Sequence, residues 1–192
     1  MYKKLLNDKF FRENPIEELS AQNFVYLSLE VEGLNKVAET FVRGVTDRAE
    51  DQIKEIQEEN DPDKLFKLLR GGCDTLCQEA LRERVLGFED ILVPRILAAY
   101  ERTLNDVFAE NACRILAKCK KNHSKDILEI YQNIRSPYAL SLISITLGFI
   151  GNEECIPVLY EQFQEFKKSH RNETYEQGPL IGLLKLKDRF KI

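Results

Sequence analysis

Apolar residues recur along most of the chain every three or four positions, the interval at which one face of an α-helix returns. Val45, Ala49, Ile53 and Ile56 form one such stripe, with acidic residues on the opposite face. Thr46 or Asp47 can cap this helix, and Asn60-Asp61-Pro62-Asp63 stops it. A short helix over 64–70 ends at Gly71-Gly72, a C-terminal capping signal. Further helical patterns cover 74–87, 90–104, 106–120, 125–135, 137–150, 153–169 and 179–190. Their short links make successive helices antiparallel neighbours. Near the N-terminus, Asn14-Pro15-Ile16-Glu17 reads as a helix start, with Ser20 as a second possible cap. The stretch from Phe24 to Glu32 has two readings. Val25, Leu27, Leu29 and Val31 alternate with polar residues as in a strand, whereas Phe24, Leu27, Val31, Leu34, Ala38 and Phe41 keep helical spacing. The helix is favoured, because a lone strand would leave its backbone groups unpaired.

The helical patterns repeat. Asp63 to Leu69, Pro94 to Tyr100, Lys125 to Tyr131 and Pro157 to Phe163 succeed one another at intervals of 31, 31 and 32 residues. Equivalent slots hold Leu65, Ile96, Ile127 and Leu159; then Phe66, Leu97, Leu128 and Tyr160; then Leu69, Tyr100, Tyr131 and Phe163. The helices between them carry columns of their own, Leu81/Ala112/Ile143 and Val85/Leu116/Leu147. A pair of helices cannot hide such a seam alone, so neighbouring pairs must stack. The helix over 137–150 is apolar almost all round, which suits an element clamped on several sides.

Ala139 to Leu159 contains Leu147-Gly148-Phe149-Ile150-Gly151-Asn152 followed by Ile156-Pro157-Val158-Leu159. This stretch resembles the HEAT-like repeat proteins, in particular the short bacterial type also seen in bilin lyases. Val85-Leu86-Gly87-Phe88-Glu89-Asp90 ahead of Pro94 is a weaker copy; in the third unit Lys118 to His123 replaces the glycine turn and Lys125 the proline. The resemblance spans roughly 63–169. It implies an all-α fold, a right-handed α-solenoid of HEAT-like helix pairs with N-terminal capping helices. Residues 1–60 would form that cap, and 61–192 the repeats with a C-terminal capping helix. Four stacked pairs at ~8–10 Å per helix would make a groove of roughly 40 Å. In HEAT-like solenoids the second helix of each pair usually lines the concave side. Carried over, this makes Arg95, Arg102, Asp126, Glu129, Asn133, Glu161 and Glu165 the candidate groove residues.

Composition narrows the function classes. The 192 residues hold 28 Lys and Arg against 32 Asp and Glu, a net charge of −4, so a dedicated nucleic-acid binder is not expected. Charge is nevertheless uneven: Asp47–Asp63 holds eight acids and two bases, Arg114–Lys125 five bases and no acid. No run approaches the ~20 apolar residues of a membrane span. The apolar start Met1 to Leu6 is too short for a signal peptide. Five cysteines, an odd number, fit a reducing compartment. The expectation is a cytoplasmic protein without a membrane, in which the Asn172-Glu173-Thr174 sequon has no role.

Cys73 and Cys77 lie one helical turn apart, as do Cys119 and His123, and two such pairs have the donor set of a zinc site. The repeat register places Cys77 and Cys119 at opposite ends of their helices, so no metal site and no cofactor is expected. Cys113 and Cys155 read as packing residues. His123 and His170 both fall in Lys/Asn/Ser-rich stretches that read as exposed turns. No nucleophile elbow or phosphate loop is present. The resulting expectation is a non-enzymatic scaffold whose acidic groove takes a basic segment of a protein partner, of undetermined oligomeric state. The alternative is an enzyme or enzyme subunit with its site in the groove, as in bilin-lyase-like or DNA-glycosylase-like HEAT proteins. The glycosylase form is disfavoured because tryptophan is absent.

Overall fold

A computed structural model describes residues 2–31, 46–71 and 77–192. Among these residues all regular structure is helical. A 3-10 turn at Tyr2–Lys4 precedes α1 (Asp8–Glu13), α2 (Ala21–Glu30), α3 (Thr46–Glu58), α4 (Pro62–Leu68), α5 (Gln78–Leu86) and α6 (Glu89–Tyr100). Then come α7 (Asp106–Lys118), α8 (Ser124–Tyr131), α9 (Pro137–Ile150), α10 (Cys155–Ser169) and α11 (Gln177–Phe190). Local chemistry sets many of the boundaries. Side chains of Asp61, Asn105 and Ser136 accept from the backbone N–H groups of Asp63, Phe108 and Ala139, and Pro62 and Pro137 occupy first-turn positions. Gly71 follows α4 at φ +111°, a left-handed conformation that glycine adopts freely. Gly72 and Cys73 lie outside the described residues.

One helix start differs from expectation. Asn14 does not open a helix; it ends α1, its amide donating to the Phe10 carbonyl at 2.8 Å. Pro15 explains why α1 ends there, since the residue before proline is driven out of helical geometry, and Asn14 sits at φ −130°, ψ 77°. Ser20, the second candidate, is the working cap: its hydroxyl accepts from the Asn23 N–H at 3.1 Å.

Helices alternate between two rows of contacts. In one, α3 packs on α5, α5 on α7, α7 on α9 and α9 on α11; in the other, α4 packs on α6 and α6 on α8. The repeat columns are the buried seam between them. Leu65, Ile96, Ile127 and Leu159 are fully buried, and so are Leu81, Ala112, Ile143, Val85, Leu116 and Leu147. Leu69, Tyr100, Tyr131 and Phe163 are buried as well, while Leu97, Leu128 and Tyr160 pack at the seam's edge. Helix α9 touches α2, α7, α8, α10 and α11, and its residues 141–148 are all buried, as its all-round apolarity implies. Its polar side chains are satisfied locally: the Ser144 hydroxyl bonds the Leu140 carbonyl (2.7 Å) and Tyr131 (2.6 Å), and Thr146 donates to the Cys113 carbonyl (3.2 Å).

Residues 2–31 do not lie beside α3. They run along the C-terminal end of the molecule. Phe10 meets Tyr160 and Phe163 of α10, and α2 packs across α7, α9 and α11. The face α2 buries is largely polar: Gln22, Asn23, Val25 and Ser28. Phe24, Leu27 and Val31, the residues with helical spacing, are instead exposed by 55%, 37% and 48%. Leu34, Ala38 and Phe41 fall outside the described residues.

A polar layer crosses α5 and α7. Arg82, 8% exposed, bonds Glu79 and the Asn111 side chain, and Lys118 also reaches Glu79. Burial alone would raise the Glu79 carboxyl; its bonds to Arg82 and Lys118 outweigh that and leave it below its ordinary value of 4.5. A lowered carboxyl stabilises the fold at neutral pH and ceases to do so once acid protonates it. The unfolding midpoint is therefore expected to fall as pH drops below that ordinary value. Glu79→Gln should flatten this acid limb, read by thermal melts across pH; an unchanged acid limb would exclude the pair as its source.

Candidate functional site

The seven candidate groove residues occupy α6, α8, α10 and the turns after α6 and α8, in different states of engagement. Arg95 on α6 pairs with Asp63 at 2.7 Å and lies over the Phe66 ring at 4.6 Å. Asp126 on α8 bonds His123 Nδ1 at 2.7 Å. Glu161 on α10 accepts from the Tyr2 hydroxyl at 2.6 Å, so the chain's own N-terminal turn lies against this position. Arg102, Glu129, Asn133 and Glu165 are exposed. Helix α6 packs on α8, which brings the Arg95 and Glu129 helices side by side.

The basic region is less basic in space than in sequence. Arg114 is not a surface base: it is 6% exposed, its guanidinium bonding Glu110 (3.0 Å) and Ser28 of α2 (3.0 Å). Lys118 is engaged with Glu79. Lys120, Lys121 and Lys125 remain exposed.

Both histidines depart from the exposed-turn expectation. His170 is half-buried against Phe166 and Tyr175, with ring centroids 5.5 and 5.4 Å away. His123 is 6% exposed, and the reason is how the link between α7 and α8 is pinned. The Glu89 carboxylate, in the first turn of α6, accepts the backbone N–H groups of Lys120 and Lys121, each at 2.9 Å. Asn122 donates to the carbonyl of Ile150 at the end of α9 (2.8 Å) and accepts from the Ser124 N–H (2.9 Å). Held on both sides, the link turns the imidazole inward.

That geometry gathers three donor side chains. Glu89, Cys119 and His123 present their ligand atoms within 4.8 Å of one another. Asp126 holds Nδ1 on one edge of the ring; on the other, Nε2 lies 3.7 Å from Glu89 Oε1 and has no hydrogen-bond partner. Cys119 follows α7 and directs its thiol to the Ile115 carbonyl at 3.3 Å. Burial and the Glu89 carboxylate push this thiol up to about 12. Burial would raise the Glu89 carboxyl, but the Lys121 and Lys120 N–H groups hold it below its ordinary value. Beside the cluster opens a cleft of about 230 Å³ lined by Leu86, Gly87, Glu89, Asp90, Lys120 and Lys121. Cys119 and His123 thus do share a site, but with Glu89 and not with Cys77, whose thiol points to the Ala49 carbonyl. Cys73 lies outside the described residues. The 31-residue interval sets Glu89 level with Lys120, but register alone does not signal a contact between them.

Cys113 and Cys155 are fully buried, in keeping with packing roles, and burial pushes the Cys113 thiol up to about 11. No helix among the described residues is long and apolar enough to cross a membrane. Comparison with protein-family models, curated proteins and solved structures finds no match to the chain.

Proposed function

We propose that the chain is a HEAT-like helical-repeat protein, a right-handed stack of helix pairs that serves as a non-enzymatic scaffold. It takes a basic segment of a protein partner along the outward faces of α8 and α10. The observation that carries this reading is the burial of equivalent columns, Leu65/Ile96/Ile127/Leu159 and Leu69/Tyr100/Tyr131/Phe163, with contacts running from α3 through α5, α7 and α9 to α11 and from α4 through α6 to α8. Such stacking leaves outward positions free for recognition. Glu129, Asn133 and Glu165 are exposed there, whereas Arg95, Asp126 and Glu161 already hold partners within the chain. Contacts to exposed carboxylates steer and select more than they bind tightly, and salt weakens them.

The test is affinity capture with the wild type and the double variant Glu129→Lys/Glu165→Lys. Partners of the acidic face should fall by at least about tenfold in the variant, and salt should release them from the wild type. Recovery of the same partners in the same amounts would overturn this docking surface. A second reading, an enzyme or enzyme subunit, draws its support from the inward-facing cluster of Glu89, Cys119 and His123.

A further inference from the structure

We propose that Glu89, Cys119 and His123 form a three-ligand site for a divalent cation of the zinc class, independently of the scaffold reading. The starting point is the imidazole. Its Nδ1 is bonded to Asp126, which as a carboxylate can only accept, so the ring proton of neutral His123 resides on Nδ1. Nε2 then carries a bare lone pair, in a side chain only 7% exposed, without a hydrogen-bond partner and facing the Glu89 carboxylate at 3.7 Å. Two negative groups flank one ring, and the lone pair on its inner edge points at another acceptor. A buried acceptor left in this state is costly. What satisfies both is a water that donates to each, a proton on the ring, or a metal ion between them.

The third donor decides among them. A water or a proton needs no thiol, but Cys119 brings sulfur into the same cluster. Nitrogen, sulfur and carboxylate oxygen together are the zinc donor set, with bonds of about 2.0–2.3 Å. Four-coordinate geometry at those lengths sets ligand atoms roughly 3.3–3.8 Å apart. The Nε2 to Oε1 separation of 3.7 Å already meets this, and the outer limit of 4.8 Å for the set closes with a shift of about 1 Å. Coordination replaces the S–H bond with a sulfur–metal bond, and the proton leaves to solvent.

Surrounding groups hold the ligands as outer-shell partners do in metal sites. Asp126 fixes the ring's tautomer, the Lys120 and Lys121 N–H groups fix the carboxylate, and Asn122 anchors the link to α9. Three protein ligands leave a fourth position for water or a small ligand, and one of them, Glu89, also lines the neighbouring cleft.

Isothermal titration of the full chain with zinc chloride, after treatment with a chelator, should give one site per chain. Cobalt(II) in its place should produce a thiolate-to-metal charge-transfer band in the near ultraviolet and the intense visible bands of four-coordinate cobalt. Cys119→Ser should abolish the charge-transfer band and weaken binding by at least about tenfold. Asp126→Asn, outside the ligand set, should weaken it about 10–100-fold with the band retained. Metal-free circular dichroism checks that both variants are folded. The proposal fails if zinc does not bind. It also fails if cobalt binds without the thiolate band, or if folded Cys119→Ser binds as tightly as the wild type.

Discussion

Gly178→Ala should destabilise the protein by about 3 kcal/mol, at the upper end of what overpacking usually costs. For a chain of this size that is a fall of roughly 6–12 °C in the unfolding midpoint. The sign is the informative part. Inside an ordinary helix, replacing glycine by alanine gains about 1 kcal/mol. Gly178 and Gly182 lie one turn apart on α11, on the side facing α9. A Cβ at Gly178 would fall on the carbonyl oxygen of Ser141, and one at Gly182 on that of Ser144. These are backbone atoms within a buried helix, and they cannot swing aside as a side chain would. From the other direction, a Cβ at Gly148 would stand 2.6 Å from the Gly182 Cα. Helices α9 and α11 therefore meet backbone to backbone. Gly87, whose added Cβ would find its nearest neighbour at 3.1 Å, is the comparison, with an expected loss under about 1 kcal/mol. Thermal and urea unfolding of the three alanine variants check this; a Gly182→Ala protein as stable as the wild type would refute the close approach.

Why the helices and their seam were legible, and the placement of residues 2–31 was not, has a physical explanation. Columns such as Leu65/Ile96/Ile127/Leu159 bury because these helices meet their neighbours through large apolar side chains, and hydrophobic spacing reports that kind of contact directly. Helix α2 docks differently. Its fully buried face is Gln22, Asn23, Val25 and Ser28, with Tyr26 and Leu29 packed at its edge, and specific bonds fix it: Ser28 to Arg114, Gln22 to Thr174. Apolar spacing pointed to the opposite side, where Phe24 and Leu27 are exposed. Polar docking leaves no periodic mark, and it also hid Arg114, which in sequence looks like one more surface base. The inward cluster was half legible. Cys119 and His123 stand out by type and spacing, but Glu89 looks like any acid in a helix's first turn. Its role depends on two backbone N–H groups of the next unit, which only the fold brings within 2.9 Å.

Glu110→Gln tests the polar docking where it carries charge, with an expected loss of about 2–3 kcal/mol. The Arg114 side chain is 7% exposed, and Glu110 supplies its counter-charge at 3.0 Å. Ser28 offers Arg114 a hydroxyl but no charge. Removing one member of a fully buried pair costs about 3–5 kcal/mol, because the other is left as an uncompensated charge. Here Glu110 is 35% exposed, so water reaches part of the pair and the loss falls at or below the lower end of that range. Arg114→Met should cost less than Glu110→Gln, since the remaining carboxylate can turn towards water and keeps its bond from the Tyr138 hydroxyl at 3.0 Å. Combining the two changes should restore stability relative to Glu110→Gln alone. That recovery separates stranded charge from lost packing, because a second truncation in a cavity-limited site would only add to the damage. Urea denaturation of the wild type, both single variants and the double variant measures the coupling. A coupling energy below about 0.5 kcal/mol, the range in which independent sites simply add, would mean that Arg114 does not depend on Glu110. The α2 contact would then rest on the Ser28 and Gln22 bonds together with the packing of Val25, Tyr26 and Leu29.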